Sequence, residues 1–284
     1  MAIALPVLLL AAAAWQQQTD TTVAVPRDVR RLELSVHAGT IRIATWERSE
    51  LRVRAEHGSR DRVTVEVRGS VVKVDASRRY GIPSFVEYDL TVPRGMAMEL
   101  GGVETEITVE GPVGDITASS VEGGISIRGA TGTVSANSVE GDIVIQGGTG
   151  TVHVTGVDGE IRVSDAKGEV TVETVDSDIT LENIDGTSVD AGTVDGAVIY
   201  RGTIHDNGRY RFTSHDGDVV LEVPETINAT ISVATFEGSF EADPAFKVQL
   251  SQTRPGKRFN FVLGNGSARI ELESFDGGIR LIRR

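Results

Sequence analysis

The heptapeptide Val121-Glu-Gly-Gly-Ile-Ser-Ile127 recurs three times in succession, and each copy begins 18 residues after the previous one. These copies are Val139-Glu-Gly-Asp-Ile-Val-Ile145, Val157-Asp-Gly-Glu-Ile-Arg-Val163 and Val175-Asp-Ser-Asp-Ile-Thr-Leu181. Other copies begin at less regular intervals, at Val194, His215, Phe236 and Phe275, and degenerate copies begin at His37 and Val103. Self-similarity at a short, nearly fixed period is typical of proteins that stack one small unit many times.

Each 18-residue unit also contains a weaker second half. Gly129-Ala-Thr-Gly-Thr-Val-Ser-Ala136 matches Gly147-Gly-Thr-Gly-Thr-Val-His-Val154 and Asp165-Ala-Lys-Gly-Glu-Val-Thr-Val172. Apolar residues alternate in both halves, as in Ile143 and Ile145, and this alternation predicts strands with one buried face. One unit therefore predicts a strand, a glycine-rich turn, a second strand and an acidic turn.

A two-strand unit cannot bury its apolar face alone, whereas a stack of identical units buries it from coil to coil. The sequence therefore predicts an all-β fold, a single-domain β-solenoid of the parallel β-helix type with two-strand coils of about 18 residues. Equivalent residues of successive coils should form three internal ladders, namely Ile125, Ile143, Ile161 and Ile179; Ile127, Ile145, Val163 and Leu181; and Val134, Val152, Val170 and Val189.

The acidic turns predict the corners of the coils. Glycines recur at the position where a tight corner needs a positive φ, at Gly123, Gly141, Gly159, Gly196, Gly217 and Gly277. Hydroxyl residues precede the turns and should bond to corner backbone groups, at Ser120, Ser138, Thr174, Thr193 and Ser214. Ser177 replaces the glycine once, so we expect a slightly strained or differently shaped corner there.

The same pattern divides the chain into segments. Residues 1–14 are almost entirely apolar and resemble a secretory signal peptide without its usual basic start, so we expect the mature chain to begin near Trp15. Residues 15–29 are predicted as a linker. Residues 30–100 predict capping coils or, alternatively, a small separate β domain, residues 101–242 predict the regular coils, and residues 243–284 predict a loop excursion and a final capping coil.

Composition excludes several classes of site. The chain has no Cys, which excludes disulfides and thiolate sites. Residues 27–94 carry 14 Lys/Arg against 10 Asp/Glu, a balance of +4, whereas residues 101–200 carry 3 against 18, a balance of −15. Phosphates would be repelled by this acidic middle, so we expect no nucleic-acid partner. We also expect no transmembrane helix in the mature chain, which would be periplasmic, extracellular or on the cell surface.

Repeated units of the Val139-Glu-Gly-Asp-Ile143 type behind a signal-like segment, with Tyr88-Asp-Leu-Thr-Val-Pro93 as a lead-in, resemble a bacterial family. This is the "putative adhesin" β-strand-repeat domain of unknown function, and the resemblance covers roughly residues 30–284. It implies an exported or envelope-associated β-solenoid, and it supplies no catalytic residues.

Two surfaces are candidate sites. Outward positions of the second strand should form two exposed polar columns able to bind a glycan or a protein, namely Thr117, Ser135, His153, Thr171 and Asp190, and Ser119, Asn137, Thr155 and Glu173. The acidic turns should align Glu122, Glu140, Asp158 and Asp176 in one row. Such a row could recruit calcium, but Asp-Gly and Glu-Gly also make good soluble corners, and we expect no metal site.

No catalytic centre or cofactor site is predicted. The histidines lack metal-ligand spacing, and no nucleophile elbow, P-loop or dinucleotide fingerprint is present. We therefore expect a non-enzymatic exported scaffold with adhesin-like binding to an unknown protein or glycan of the cell envelope. Two alternatives are a polysaccharide-active β-helix enzyme that uses the acidic edge, and an envelope-stress or signalling accessory that recognises proteins through its solenoid ends.

Overall fold

The computed structural model describes residues 16–82, 85–246 and 257–284. The signal-like segment, residues 1–14, lies outside them, as does part of the predicted C-terminal excursion. The described chain is all-β, and its 23 strands belong to one continuous hydrogen-bonded sheet. A single 3₁₀ turn, Pro244–Phe246, is the only helical element in these ranges.

The strands are numbered in chain order. The N-terminal strands are β1 (Gln16–Ala24), β2 (Arg31–Trp46), β3 (Glu50–Gly58), β4 (Asp61–Arg68), β5 (Val71–Arg78), β6 (Val86–Pro93) and β7 (Ala97–Glu110). The middle strands are β8 (Ile116–Glu122), β9 (Ile125–Arg128), β10 (Val134–Glu140), β11 (Ile143–Gln146), β12 (Thr149–Thr155), β13 (Ile161–Ser164), β14 (Lys167–Glu173) and β15 (Ile179–Asp195). The C-terminal strands are β16 (Val198–Gly202), β17 (Arg209–Asp216), β18 (Val219–Val223), β19 (Ala229–Thr235), β20 (Phe240–Ala242), β21 (Lys257–Leu263), β22 (Ala268–Ser274) and β23 (Ile279–Arg283).

The middle strands form two walls of stacked parallel strands, and each coil adds one strand to each wall. The first wall runs from β8 through β10, β12 and β14 to the second half of β15, and the second wall runs from β9 through β11 and β13 to its first half. Partners in the second wall lie 18 residues apart, as in the pairs of Ile143 with Ile125 and Ile161. All three predicted ladders are confirmed, because their members are aligned and at most 2% exposed.

The corners of the coil show why glycine recurs there. Gly123, Gly141 and Gly159 have φ between +127° and +139°, as predicted. At Gly217 and Gly277 the expectation of a positive φ was wrong, and close approach is the reason for both glycines. A Cβ at Gly217 would lie 1.9 Å from the carbonyl oxygen of Gly196 in the neighbouring coil, and a Cβ at Gly277 would lie 2.1 Å from that of Gly217. Backbone therefore stacks directly on backbone at these corners, which leaves no room for a side chain.

The hydroxyl residues before the corners act as predicted. Ser120 donates to the carbonyl of Thr105 at 2.8 Å, and Ser214 donates to the carbonyl of Gly196 at 2.8 Å. Both hydroxyl residues are buried, so these bonds satisfy polar groups that water does not reach. Ser177 makes the expected different corner, because its hydroxyl accepts a 2.8 Å hydrogen bond from the amide of Gly159.

The N-terminal strands extend the same stack in a changed order. β2 pairs in parallel with β7 on one side and with β5 and β6 on the other, so it lies inside the stack although it comes early in the chain. The predicted linker was wrong, because Gln16–Ala24 forms β1, which pairs antiparallel with β3. β6 occupies one edge of β3, and β1 covers the other edge. Asp20 of β1 forms ion pairs with Arg52 and Arg54 of β3.

The C-terminal strands repeat this exchange. β22 pairs in parallel with both β17 and β19, and β23 pairs with both β18 and β20. The predicted final capping coil was therefore wrong, because the last coil of the sequence lies inside the stack. β19 and β20 form the outermost coil instead, and β21 covers β19 in antiparallel orientation.

Candidate binding surface

The two predicted polar columns are present on the first wall, where they run along the stack from strand to strand. Thr117, Ser135, His153, Thr171 and Asp190 are direct neighbours from strand to strand, and so are Ser119, Asn137, Thr155 and Glu173. All of these side chains are exposed or half-buried. Since strands of one sheet lie about 4.8 Å apart, each column presents one short polar group at that interval along the stack.

One column changes character at Asp190. The residues before it are neutral or weakly basic, but the next residue along the stack is Arg211, followed by Glu271. Partial burial raises the pKa of Asp190, and the neighbouring Arg211 opposes this shift. These charged side chains line a shallow hollow of about 340 Å³ together with Arg209 and Arg269. The surface therefore passes from a neutral row to a charged, concave end.

The acidic row lies at the corner, as predicted. Glu122 and Glu140 are neighbours at the ends of β8 and β10, and isolated parallel bridges continue the row through Asp158 and Asp176. All of these carboxylates are exposed. Among the described residues, no three His, Asp or Glu side chains come together as a metal site.

A further set of carboxylates was missed, one residue after the corner position that glycine or Ser177 occupies. Asp142 accepts the backbone N–H of Glu160 at 2.9 Å, and Asp178 accepts that of Ala197 at 2.7 Å. Each bond joins one coil to the next. The recurrence of Asp after the glycine was the available signal. These acidic residues therefore serve the stack, in contrast to the row beside them.

An exposed apolar row is the second feature that was missed. The residue before each corner carboxylate points outward, and it is Val103, Val121, Val139, Val157, Val175 and Val194 in successive coils. The row continues through stacked aromatic rings. The ring centroids of His215 and Phe275 are 4.7 Å apart, and those of Phe275 and Phe236 are 4.8 Å apart. The signal was present in the sequence, because every copy of the heptapeptide from Val103 onward begins with one of these residues.

Comparison with known families places this architecture. The model of the Toastrack DUF4097 family matches residues 29–281, nearly all of the described chain. The chain belongs to the Toastrack DUF4097 family. The resemblance drawn from the repeats is thereby confirmed. No curated protein matches this Toastrack chain by sequence.

A solved structure with a similar fold is known. A "putative adhesin" from Parabacteroides distasonis is 8% identical, with 95% of this chain and 98% of that chain covered and a TM-score of 0.55. A "putative cell adhesion protein" from Clostridium sporogenes is 11% identical over 95% of this chain and 100% of that chain, with a TM-score of 0.23. The first likeness concerns the fold alone, and the second is too distant for any argument about this Toastrack chain.

The histidines of this Toastrack chain form two surface pairs with carboxylates. His205 lies 2.6 Å from Asp185, one coil away, although the sequence had placed it beside Asp206. His215 lies 3.1 Å from Asp216. His205 is half-buried, and the other three side chains are exposed.

Over the part of the chain that the structure describes, no helix has the length and apolar character needed to cross a membrane.

Proposed function

We propose that this chain is a non-enzymatic β-solenoid scaffold of the cell envelope or cell surface, with two-strand coils of the parallel β-helix type. Its polar columns would bind a glycan or a protein in an adhesin-like manner. The observation that carries this proposal is the register of the columns. Polar side chains repeat at two positions of every coil over β8, β10, β12 and β14, and all of them are hydroxyls or amides except His153 and Glu173.

The physical advantage of such a surface is preorganisation. Binding costs free energy when side chains and loops must be ordered, and short side chains on continuous ladders lose little freedom. Ser135, Asn137 and Thr155 have few rotatable bonds and sit on strands paired on both sides. A repetitive ligand can therefore gain many weak hydrogen bonds at small entropic cost, without a deep pocket.

Binding is tested by screening the purified chain against arrays of glycans and envelope proteins. A hit is then measured with Ser135→Arg, which places a bulky cation in the column, and with Ser126→Arg, which places it on the second wall. Both serines are half-buried on outward positions, so the pair is matched. We expect Ser135→Arg to weaken binding at least 10-fold and Ser126→Arg to leave it unchanged. Equal effects of the two variants would refute the assignment to the columns.

Export is part of the same proposal, and it rests on the apolar run from Ala2 to Ala14. N-terminal sequencing of the protein from its native cells tests it. We expect a mature N-terminus near Trp15. Retention of Met1 in the mature protein would refute export through this segment.

A further inference from the structure

We propose that the exposed apolar row and the acidic row beside it form one docking strip for a basic, amphipathic α-helix of a partner protein. The valine strip is the outward row Val103, Val121, Val139, Val157, Val175 and Val194, and its aromatic end is His215, Phe275 and Phe236. The carboxylate row is Glu104, Glu122, Glu140, Asp158, Asp176, Asp195 and Asp216. This strip lies at the corner of the coil, two residues along the chain from the polar column of Ser119, Asn137, Thr155 and Glu173. The proposal goes beyond the function of the columns.

The first argument is the continuity of exposed apolar surface. Val121 is 43% exposed and Val175 is 47% exposed, whereas the inward valines of the same coils are at most 2% exposed. Single exposed apolar residues are common on proteins, but a contiguous row marks an interaction surface. Strand propensity does not account for valine here, because Thr is also β-branched and occupies outward positions such as Thr117 and Thr171.

The second argument is charge, which selects the partner. Every residue of the valine strip is followed by an exposed carboxylate. The Lys and Arg side chains of residues 101–200 pair elsewhere, Arg128 with Glu110, Arg162 with Glu160 and Lys167 with Asp185. A partner with basic residues beside its apolar face would neutralise the carboxylate row. A second copy of this chain would instead oppose one carboxylate row to another, which disfavours self-association.

The third argument is spacing, which selects a helix. Side chains of the strip repeat about every 4.8 Å, the distance between strands. One turn of an α-helix rises about 5.4 Å, whereas side chains on one face of an extended strand repeat at about 6.7 Å. Over the four steps from Val121 to Val194, the side chains of a bound helix would become offset from the valines by about 2.4 Å, and those of an extended strand by about 7.6 Å. An amphipathic helix of about four turns therefore stays in register with these valines, while an extended peptide does not.

The aromatic end supplies an anchor. Phe236 is 58% exposed and Phe275 is 42% exposed, and the two rings are nearly parallel, at 9°. Beside them is an open hollow of about 350 Å³ that Arg258 and Glu273 also line. Exposed aromatic residues in such hollows often contribute most of the binding energy of an interface. A large apolar side chain at one end of the helix would fill this hollow.

The test uses the full chain and a fluorescent 18-residue helical peptide with Leu on one face and Lys on its flanks, measured by fluorescence anisotropy. Two comparison peptides have Glu in place of Lys, or Ser in place of Leu. The triple variant Val139→Thr, Val157→Thr and Val175→Thr keeps the β-branched shape and removes apolar surface. Val144→Thr is the matched control, because Val144 is an outward, half-buried valine on the second wall. Circular dichroism checks that each variant is folded.

We expect the Leu/Lys peptide to bind and both comparison peptides to bind at least 10-fold more weakly. The triple variant should weaken binding at least 10-fold, and Val144→Thr should leave it unchanged. Glu140→Gln with Asp158→Asn should weaken binding and reduce its salt dependence. Phe236→Ser, at the end of the row, keeps the proposal testable if the triple variant does not fold, and it should also weaken binding.

Several results would overturn the proposal. These are no binding of the Leu/Lys peptide, equal binding by the triple variant, and equal binding of the Glu peptide. Self-association of the unmodified chain that the triple variant abolishes would identify a second copy as the occupant and would also overturn it. The outcome is independent of the array screen for the polar columns, since Ser135→Arg and the strip variants alter different surfaces.

Discussion

Three buried tyrosines differ in the number of hydrogen bonds that their hydroxyl groups make, and this difference predicts a graded effect of Tyr→Phe. Tyr88, Tyr200 and Tyr210 are all at most 1% exposed. Within the described part of the chain, the Tyr88 hydroxyl has no hydrogen-bond partner. The Tyr200 hydroxyl donates to the carbonyl of Thr203 at 2.8 Å.

The Tyr210 hydroxyl has two partners. It donates to the carbonyl of Gly186 at 2.7 Å and accepts the backbone N–H of His205 at 2.8 Å. Burial raises the pKa of all three tyrosines, so each hydroxyl is protonated at neutral pH. The three substitutions therefore remove the same neutral group from similar surroundings, and they differ in the partners left behind.

We expect Tyr210→Phe to be the most destabilising, by about 2–3 kcal/mol, because it leaves a buried acceptor and a donor unsatisfied. Tyr200→Phe should cost about 1 kcal/mol, since one half-buried carbonyl loses its partner. Tyr88→Phe should be neutral or slightly stabilising, because it removes a desolvated hydroxyl that makes no bond.

Differential scanning calorimetry measures the series at neutral pH. About 1 kcal/mol shifts the unfolding midpoint of a domain of this size by roughly 2–4 °C, so the variants should separate clearly. Near-ultraviolet circular dichroism controls for changes in packing around the rings. If Tyr88→Phe lowered the midpoint as much as Tyr210→Phe, hydrogen bonding would not be what distinguishes these sites, and the reasoning would be refuted.

Three further predictions concern the N-terminal edge, the acidic row and the core. The hydrogen bond from Arg52 lowers the pKa of Asp20 to about 2, so the attachment of β1 should weaken as pH falls from about 4 to about 2. The protection factors of the β1 amides in hydrogen exchange measure this loss, and in Asp20→Asn these protection factors should not depend on pH. Calcium at constant ionic strength should leave the unfolding midpoint unchanged both in the unmodified chain and in the double variant Glu140→Asn with Asp158→Asn. A large calcium-dependent rise that the double variant lacks would establish a metal site there. Ile161→Asp should cost several kcal/mol, because it buries a charge in the core, and a midpoint within two degrees of the unmodified protein would contradict the ladder assignment.

The regular coils could be predicted because their sequence determines them locally. Ile125, Ile143 and Ile161 recur every 18 residues, and only one stacking register buries all of them. The corner hydroxyls follow from the same repeat, since Ser120, Ser138 and Ser214 occupy one position of the coil and donate to equivalent corner carbonyls, those of Thr105, Gly123 and Gly196. Local chemistry and repeat geometry agree in these coils, so the prediction holds at the level of single residues.

The order of the coils at the two ends could not be predicted in this way. The copies that begin at His215, Phe236 and Phe275 have similar inward residues, so the repeat does not determine which stacks on which. The deciding contact is long-range. β21 pairs antiparallel with β19 and occupies one of its edges, which leaves the other edge for β22. A strand such as β1, which has little apolar alternation, is likewise determined by the free edge of β3.

The valine strip escaped prediction for a different reason. Period-two alternation assigns each residue to the core or to solvent, and it treats an outward valine as one exception. Its meaning emerges only when the coils are stacked, because separate exceptions at Val121, Val139 and Val157 then become one continuous surface. A binding surface of this solenoid therefore depends on equivalent residues of successive coils, whereas the fold depends on the alternation of residues along each strand.

The exchanged coils at the two ends bear on where a partner can bind. At the N-terminal end of the stack β4 covers β5 in antiparallel orientation, and at the C-terminal end β21 covers β19. Within the described residues, β20 beside β19 pairs only with β23. An antiparallel edge does not offer the parallel register through which the coils stack, so another copy cannot simply continue the solenoid there. β2 and β22, although they lie near the two ends of the described chain, have hydrogen-bonded neighbours on both sides. Stacking of another copy on β5 or β19 is therefore disfavoured, whereas the polar columns and the valine strip repeat coil after coil along the sides of the stack.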